Sequence, residues 1–211
     1  MPTTPNLLLP YPVATDTADV PRDMKALADR LDIVAGAPAA IALPGSPVDG
    51  QETYIVADAN NGVMWHFRYR AASPSALKWE FVGGAPIYSR VPDTDTTTSG
   101  SYVALAHPGP GLILPLAGDY MITLCAQIIP AANDGATASV KLGTAAMTDD
   151  EAILVSTTGA GVTGNMTPSR TMRRNGLAAG ALLTTMYKSA LGTGVATFTR
   201  RELSIYPVRV G

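Results

Sequence analysis

Between Val20 and Val34 the apolar residues recur at spacings of four, three, four and three, as Val20, Met24, Leu27, Leu31 and Val34. Asp23, Lys25, Asp29, Arg30 and Asp32 take the other faces, and Ala28 and Ala35 widen the stripe slightly. A 3.5-residue repeat predicts a helix with a narrow apolar seam, as in a coiled coil. Asp19 is placed to cap it, and Pro21 falls in the first turn, where a missing donor costs little. Gly36 and Pro38 end it, so the element lies within residues 19–36. A helix this short is marginal in water by itself. Its seam closes either against the chain's own β-domain or against copies of itself in a short parallel bundle.

After a Pro/Gly-rich linker, residues 37–50, the period drops to two. "ETYIVAD", "GVMWHFRYRA" and "ALKWEFVGG" alternate and are rich in aromatic and β-branched residues, which predicts a three-stranded β-module over residues 51–91. Asn61-Gly62 marks the first hairpin. Residues 92–98, "PDTDTTT", read as a polar connector. In "GDYMITLCAQII", Tyr120, Ile122, Leu124, Ala126 and Ile128 share one face. Further short strands are predicted at 101–106, 111–116, 136–143, 151–157, 177–188 and 195–210, separated by turn signals. Residues 92–211 therefore read as a sandwich or jelly roll. In the last strand Leu203 and Ile205 share a face, with Tyr206, Val208 and Val210 on the other, and Pro207 leaves part of an edge unpaired. The fold class expected is mainly β: a short N-terminal helix, a small three-stranded module and a C-terminal jelly-roll sandwich. Residues 1–18 form an arm stiffened by Pro2, Pro5, Pro10 and Pro12. Its apolar Leu7, Leu8, Leu9 and Tyr11 have no local core, so it lies against its own body or another protein.

Composition narrows the function. Hydrophobic residues make up 46% of the chain, enough for a proper core, while the net charge of −2 offers no basic field to nucleic acid or to an anionic membrane. The longest apolar run, Ile33 to Leu43, is broken by Gly36 and Pro38 and is far too short to span a bilayer. The N-terminal stretch has no basic region followed by a continuous apolar one, unlike a signal peptide. Cys125 is the only cysteine, which excludes an intrachain disulfide and suits a reducing compartment.

Candidate chemistry is sparse. "GAGVTG", Gly159 to Gly164, matches a dinucleotide-binding glycine pattern, but "NMTPSRTMRRNG" follows it instead of a helix, so a loop is expected. His66 sits in a strand and His107 in a turn, neither within a nucleophile or zinc motif. Asp93/Asp95 and Asp149/Asp150/Glu151 read as solvated loops, the second group placed to cap a short helical turn. Arg170, Arg173 and Arg174 cluster in an expected loop within 156–176, where they form either a solvated surface or a candidate grip for an anionic ligand. No catalytic, cofactor-binding or metal-ligating residue is assigned, and no enzyme is expected. A sandwich-borne carbohydrate-active enzyme, which needs two carboxylates about 5–10 Å apart, stands as an alternative.

Three stretches carry a resemblance. "LPYPVATDTADVPRDMKALADRLD" is similar to the N-terminal segment of bacteriophage tail and head-fibre proteins, where it precedes a short oligomerising helix. "GVMWHFRYRAASPSALKWEFVGG" resembles a small β-module of the same proteins. The part from about Thr94 resembles the trimeric jelly roll of the C1q/TNF type, in which "LAGDYMITL" supplies a strand with Gly118 at a close approach and Tyr120 pointing inward. The chain departs from a long fibre in lacking a shaft repeat, so a short stalked knob is implied. The resemblance implies a virion protein assembled in the host cytoplasm: a homotrimeric short tail fibre or minor tail protein for host attachment. Val20, Met24, Leu27, Leu31 and Val34 would close a trimeric coiled coil. The arm, through Leu7, Leu8, Leu9 and Tyr11, would dock on other virion structural proteins, and the head would face a host-surface glycan. A capsid head fibre or decoration protein of the same build is the alternative.

Overall fold

The computed structural model describes residues 10–11, 13, 19–34, 39–145, 149–157 and 164–211, with the backbone alone at 32–34. Leu7, Leu8 and Leu9 and most of the glycine pattern at 159–164 lie outside the described residues. The protein is mainly β, with one short α-helix and antiparallel sheets in a sandwich-like arrangement.

The helix, α1, spans Val20–Val34. Asp19 caps it as its sequence position predicts: its Oδ1 accepts the Arg22 amide at 3.1 Å and its carbonyl accepts the Asp23 amide at 3.0 Å. Lys25 and Asp29, one turn apart, pair at 2.6 Å on the surface.

Two compact units follow from the chain's contacts, Met1–Ala85 with Arg209–Gly211, and Pro86–Val208. In the first, β1 (Glu52–Asp58), β2 (Val63–Tyr69) and β3 (Trp79–Gly84) form an antiparallel meander. The β1–β2 turn covers four residues, 59–62. Asp58 fastens it by accepting the amides of Asn60 and Asn61 at 3.0 and 3.2 Å, and Gly62 takes the positive φ the turn demands. Alternation buries Ile55, Val63, Trp65, Phe67 and Trp79 on one face. Trp65, Phe67 and Phe81 meet edge to face there, with ring centres 5.9–6.4 Å apart. Gly84 is required where β3 crosses closest to β2, since a Cβ there would stand 2.4 Å from the Met64 carbonyl oxygen. Ala40, in the expected linker, pairs with Ile55 and covers part of the β1 edge. The end of the chain returns to this unit: Arg209 and Val210 pair with Glu80 and Trp79.

The second unit holds β4 (Ile87–Val91), β5 (Asp95–Thr97), β6 (Gly111–Ile113), β7 (Gly118–Ile129), β8 (Gly135–Leu142), β9 (Ile153–Ser156), β10 (Ser169–Leu177), β11 (Leu182–Ser189) and β12 (Ala196–Val210). In one sheet β12 pairs with β4 and β5 and neighbours β7, which pairs with β10; the other runs β6-β11-β8-β9. With β4 and β5 counted as one position, since both pair with β12, the first strand position pairs with the eighth, the second with the seventh, the third with the sixth and the fourth with the fifth. That is the pairing of a jelly roll. The inner face of β7 is fully apolar: Tyr120, Ile122, Leu124, Ala126 and Ile128 are all at most 1% exposed. Phe198, Leu203 and Ile205 of β12 and Leu183 and Tyr187 of β11 share that core, each buried apolar side chain contributing about 1.5–3 kcal/mol. The Tyr120 hydroxyl donates to the Leu116 carbonyl at 2.7 Å, so the inward ring keeps its polar end satisfied.

The structure departs from the sequence expectations in four places. Ile87–Val91, placed in the three-stranded module, pairs instead with β12, from Ile87 opposite Ile205 to Val91 opposite Arg201. Residues 95–97 of the polar connector form β5. Residues 101–106 contribute no named strand, only a bridge between Val103 and Tyr187. Ser169–Leu177, within the expected loop, is β10, the edge strand beside β7.

Candidate functional site

The apolar seam of α1 is largely open. Val20 is 69% exposed, Met24 60% and Leu31 43%, while Leu27 is half-buried; of Val34 the backbone alone is described. Tyr11, the one arm residue of the predicted anchoring set within the described residues, is 45% exposed.

Arg170, Arg173 and Arg174 lie on a strand rather than a loop, because β10 hydrogen-bonds along β7. Each has a partner. Arg173 donates to Asp119 at 2.8 Å and to Asn175 at 2.8 Å, Arg174 pairs with Glu151, and Arg170 donates to the Ala152 carbonyl at 3.2 Å. These contacts tie the strand to the turns around it.

Two carboxylates are buried. Asp95, expected to be solvated, is 6% exposed and binds Arg201, which is fully buried, at 2.6 Å. A bulge on β12 makes this possible. Thr199 and Arg200 follow one another outside the core and Arg200 has φ 49°, so the inward residues change from Ala196 and Phe198 to Arg201, Leu203 and Ile205. Arg201 also donates to the His107 carbonyl at 2.9 Å and stands 5.4 Å from the Tyr187 ring centre. His107 gives Asp95 its amide at 3.3 Å and its Nδ1 at 2.9 Å. Burial works to raise the Asp95 pKa, but the His107 hydrogen bonds and the Arg201 charge outweigh it and hold the carboxyl below its usual value. The hydrogen bond to Asp95 raises the His107 pKa.

Asp134, unremarked by the sequence reading, is 3% exposed. Its Oδ1 accepts the amides of Gly135 at 2.6 Å and Leu191 at 2.8 Å. Its Oδ2 accepts from the Ser189 hydroxyl at 2.6 Å, the Thr193 hydroxyl at 3.1 Å, and the Thr193 and Gly194 amides at 3.3 and 3.1 Å. Burial opposes ionisation here too, and the hydrogen bonds, led by that of Ser189, depress the pKa strongly. This is a staple for the turn between β11 and β12, not a reactive group. Asp149, in the single helical turn Asp149–Glu151, is likewise held by the Tyr102 hydroxyl at 2.7 Å and Lys188 at 2.9 Å.

His66 stacks on Tyr54, ring centres 4.5 Å apart and nearly parallel, and its Nε2 lies 3.0 Å from Glu52. Cys125 is half-buried, and burial pushes its thiol pKa up. In the first unit a cavity of about 340 Å³ is lined by Asp49, Gly50, Arg68, Tyr69, Arg70 and Glu80. Sequence reading missed it, because Asp49 and Gly50 fall in the expected linker, Arg68 and Tyr69 on β2, Arg70 just after it and Glu80 on β3. Among the described residues no group of three or more His, Cys, Asp or Glu side chains is placed to hold a metal ion, and no helix is long and apolar enough to cross a membrane.

Fold and surface together define a mainly-β protein with a jelly-roll unit, an aromatic meander and an exposed amphipathic helix. No known family model matches the chain, and no curated protein matches it either.

Proposed function

We propose that the chain is a structural protein of a bacteriophage virion, a short trimeric tail fibre or minor tail protein for attachment to a host-surface ligand. The observation that carries this reading is the seam of α1, which has the spacing of a coiled coil while Val20, Met24 and Leu31 remain solvent-exposed in the single chain. Three copies closing it would bury each leucine for about 1.5–3 kcal/mol, and a multivalent head gains avidity without new contacts. The resemblance of the opening segment to fibre proteins supports reading residues 1–18 as the anchor to other virion proteins. The jelly-roll pairing supports the comparison of the head with the C1q/TNF type. A capsid head fibre or decoration protein shares every one of these features and differs only in where the arm docks.

Light scattering tests the assembly. The chain is 21.9 kDa, so the expected mass is 3 × 21.9 = 65.7 kDa. A monomer at micromolar concentration would refute the stalk.

A further inference from the structure

We propose that the cavity in the first unit binds an acidic saccharide, with the sugar carboxylate held by Arg68. Arg68, on β2, stands directly opposite Glu52 on β1 and opposite Glu80 on β3. Side chains so placed share a face at about 5 Å, which puts the exposed Arg68 within reach of an ion pair on either side. Neither forms. Glu52 lies against His66 Nε2 at 3.0 Å, and Glu80 against Arg70 at 3.6 Å and Arg209 at 3.3 Å. The Arg68 side chain has no hydrogen bond or ion pair with the protein among the described residues. Its Nη2 lies 3.9 Å from the point where a Cβ on Gly50 would stand. Gly50, at φ +80°, makes that turn of backbone possible, and its amide donates to the Tyr69 carbonyl at 2.9 Å.

The lining selects the ligand. Arg68 and Arg70 balance Asp49 and Glu80, so the cavity is formally neutral. A phosphate dianion would meet two carboxylates. A monoanionic sugar meets them with hydroxyl groups, which donate to Asp49 and Glu80 while its carboxylate takes the open guanidinium fork. Asp49 spends Oδ1 on the Ala71 amide at 2.8 Å, and its second oxygen has no protein donor among the described residues. The volume lies at the small end of ligand cavities, which suits one or two sugar rings.

The biological sense of this site rests on the attachment reading, but the two fail separately: a monomeric mass would overturn attachment by a stalked knob and leave a sugar titration unchanged. The experiment is a ligand-observed NMR titration of the full chain with glucuronic acid and N-acetylneuraminic acid. Glucose and inorganic phosphate serve as comparisons. Saturable binding of at least one acidic sugar is expected, weakened at least about tenfold in Arg68→Ala and less in Arg68→Lys, which keeps the charge and loses the fork. Arg90→Ala, whose partner Glu202 lies in the second unit, leaves binding unchanged. Failure of both acidic sugars to saturate, equal affinity for glucose or phosphate, or undiminished binding in both Arg68 variants would each overturn the proposal.

Discussion

At the scale of single residues, the second unit depends on charges placed where few chains tolerate them. Asp134 accepts hydrogen bonds from Gly135, Ser189, Leu191, Thr193 and Gly194. An amide in its place turns one acceptor oxygen into a donor facing donors. Asp134→Asn is expected to lower stability by about 3 kcal/mol at neutral pH, read by urea denaturation. Folding depresses the Asp134 pKa, so its contribution is complete above the ordinary carboxylate range and fades as pH falls toward the folded value. The gap between wild type and variant should therefore narrow from pH ~7 to pH ~3. A gap independent of pH would show that the effect is packing rather than charge. Arg201 and Asp95 illustrate a different balance. A buried ion pair adds little net stability, yet removing one partner costs about 3–5 kcal/mol because the other charge is stranded.

At the scale of elements, β12 is the strand that decides most. It pairs with β4 and β5, neighbours β7, and sends its last residues to β3. Its bulge at Arg200 converts an inward set of even-numbered residues into an odd-numbered one, and so carries Arg201 to Asp95 while keeping Leu203 and Ile205 in the core. The left-handed φ of Arg200 suits few side chains. Arg200→Val, β-branched, is expected to cost about 1–2 kcal/mol. Arg200→Gly should stay within about 1 kcal/mol of wild type, strain relief offsetting glycine's extra entropy. Thermal melts of the two variants check this; equal stability would mean that the bulge carries no strain.

At the scale of the whole molecule, the proposed trimer rests on the exposed seam of α1. An aspartate in the seam stays solvated in a monomer but must be desolvated in a bundle. Leu31→Asp should therefore shift the mass from 65.7 toward 21.9 kDa while the β-signal in circular dichroism is retained. An unchanged trimer would locate assembly in another surface.

The sequence alone determined those elements whose burial is written in apolar periodicity. The β1–β2–β3 meander, the five inward residues of β7 and the Asp19 cap were legible because one face of each element is apolar or one side chain has an unmistakable local role. It also marked the seam of α1, though not what closes it. The tertiary structure alone decided the rest. β10 reads as a loop because it is an edge strand rich in arginine, and β5 reads as a connector because its inward residue is Asp95. The cavity around Arg68 was invisible for a related reason: alternation reports which face a side chain takes, but not whether the charge opposite it is already engaged. Apolar burial is additive along a strand and leaves a period, whereas a buried charge is stable only beside a partner, and that partner can be 106 residues away, as Arg201 is from Asp95.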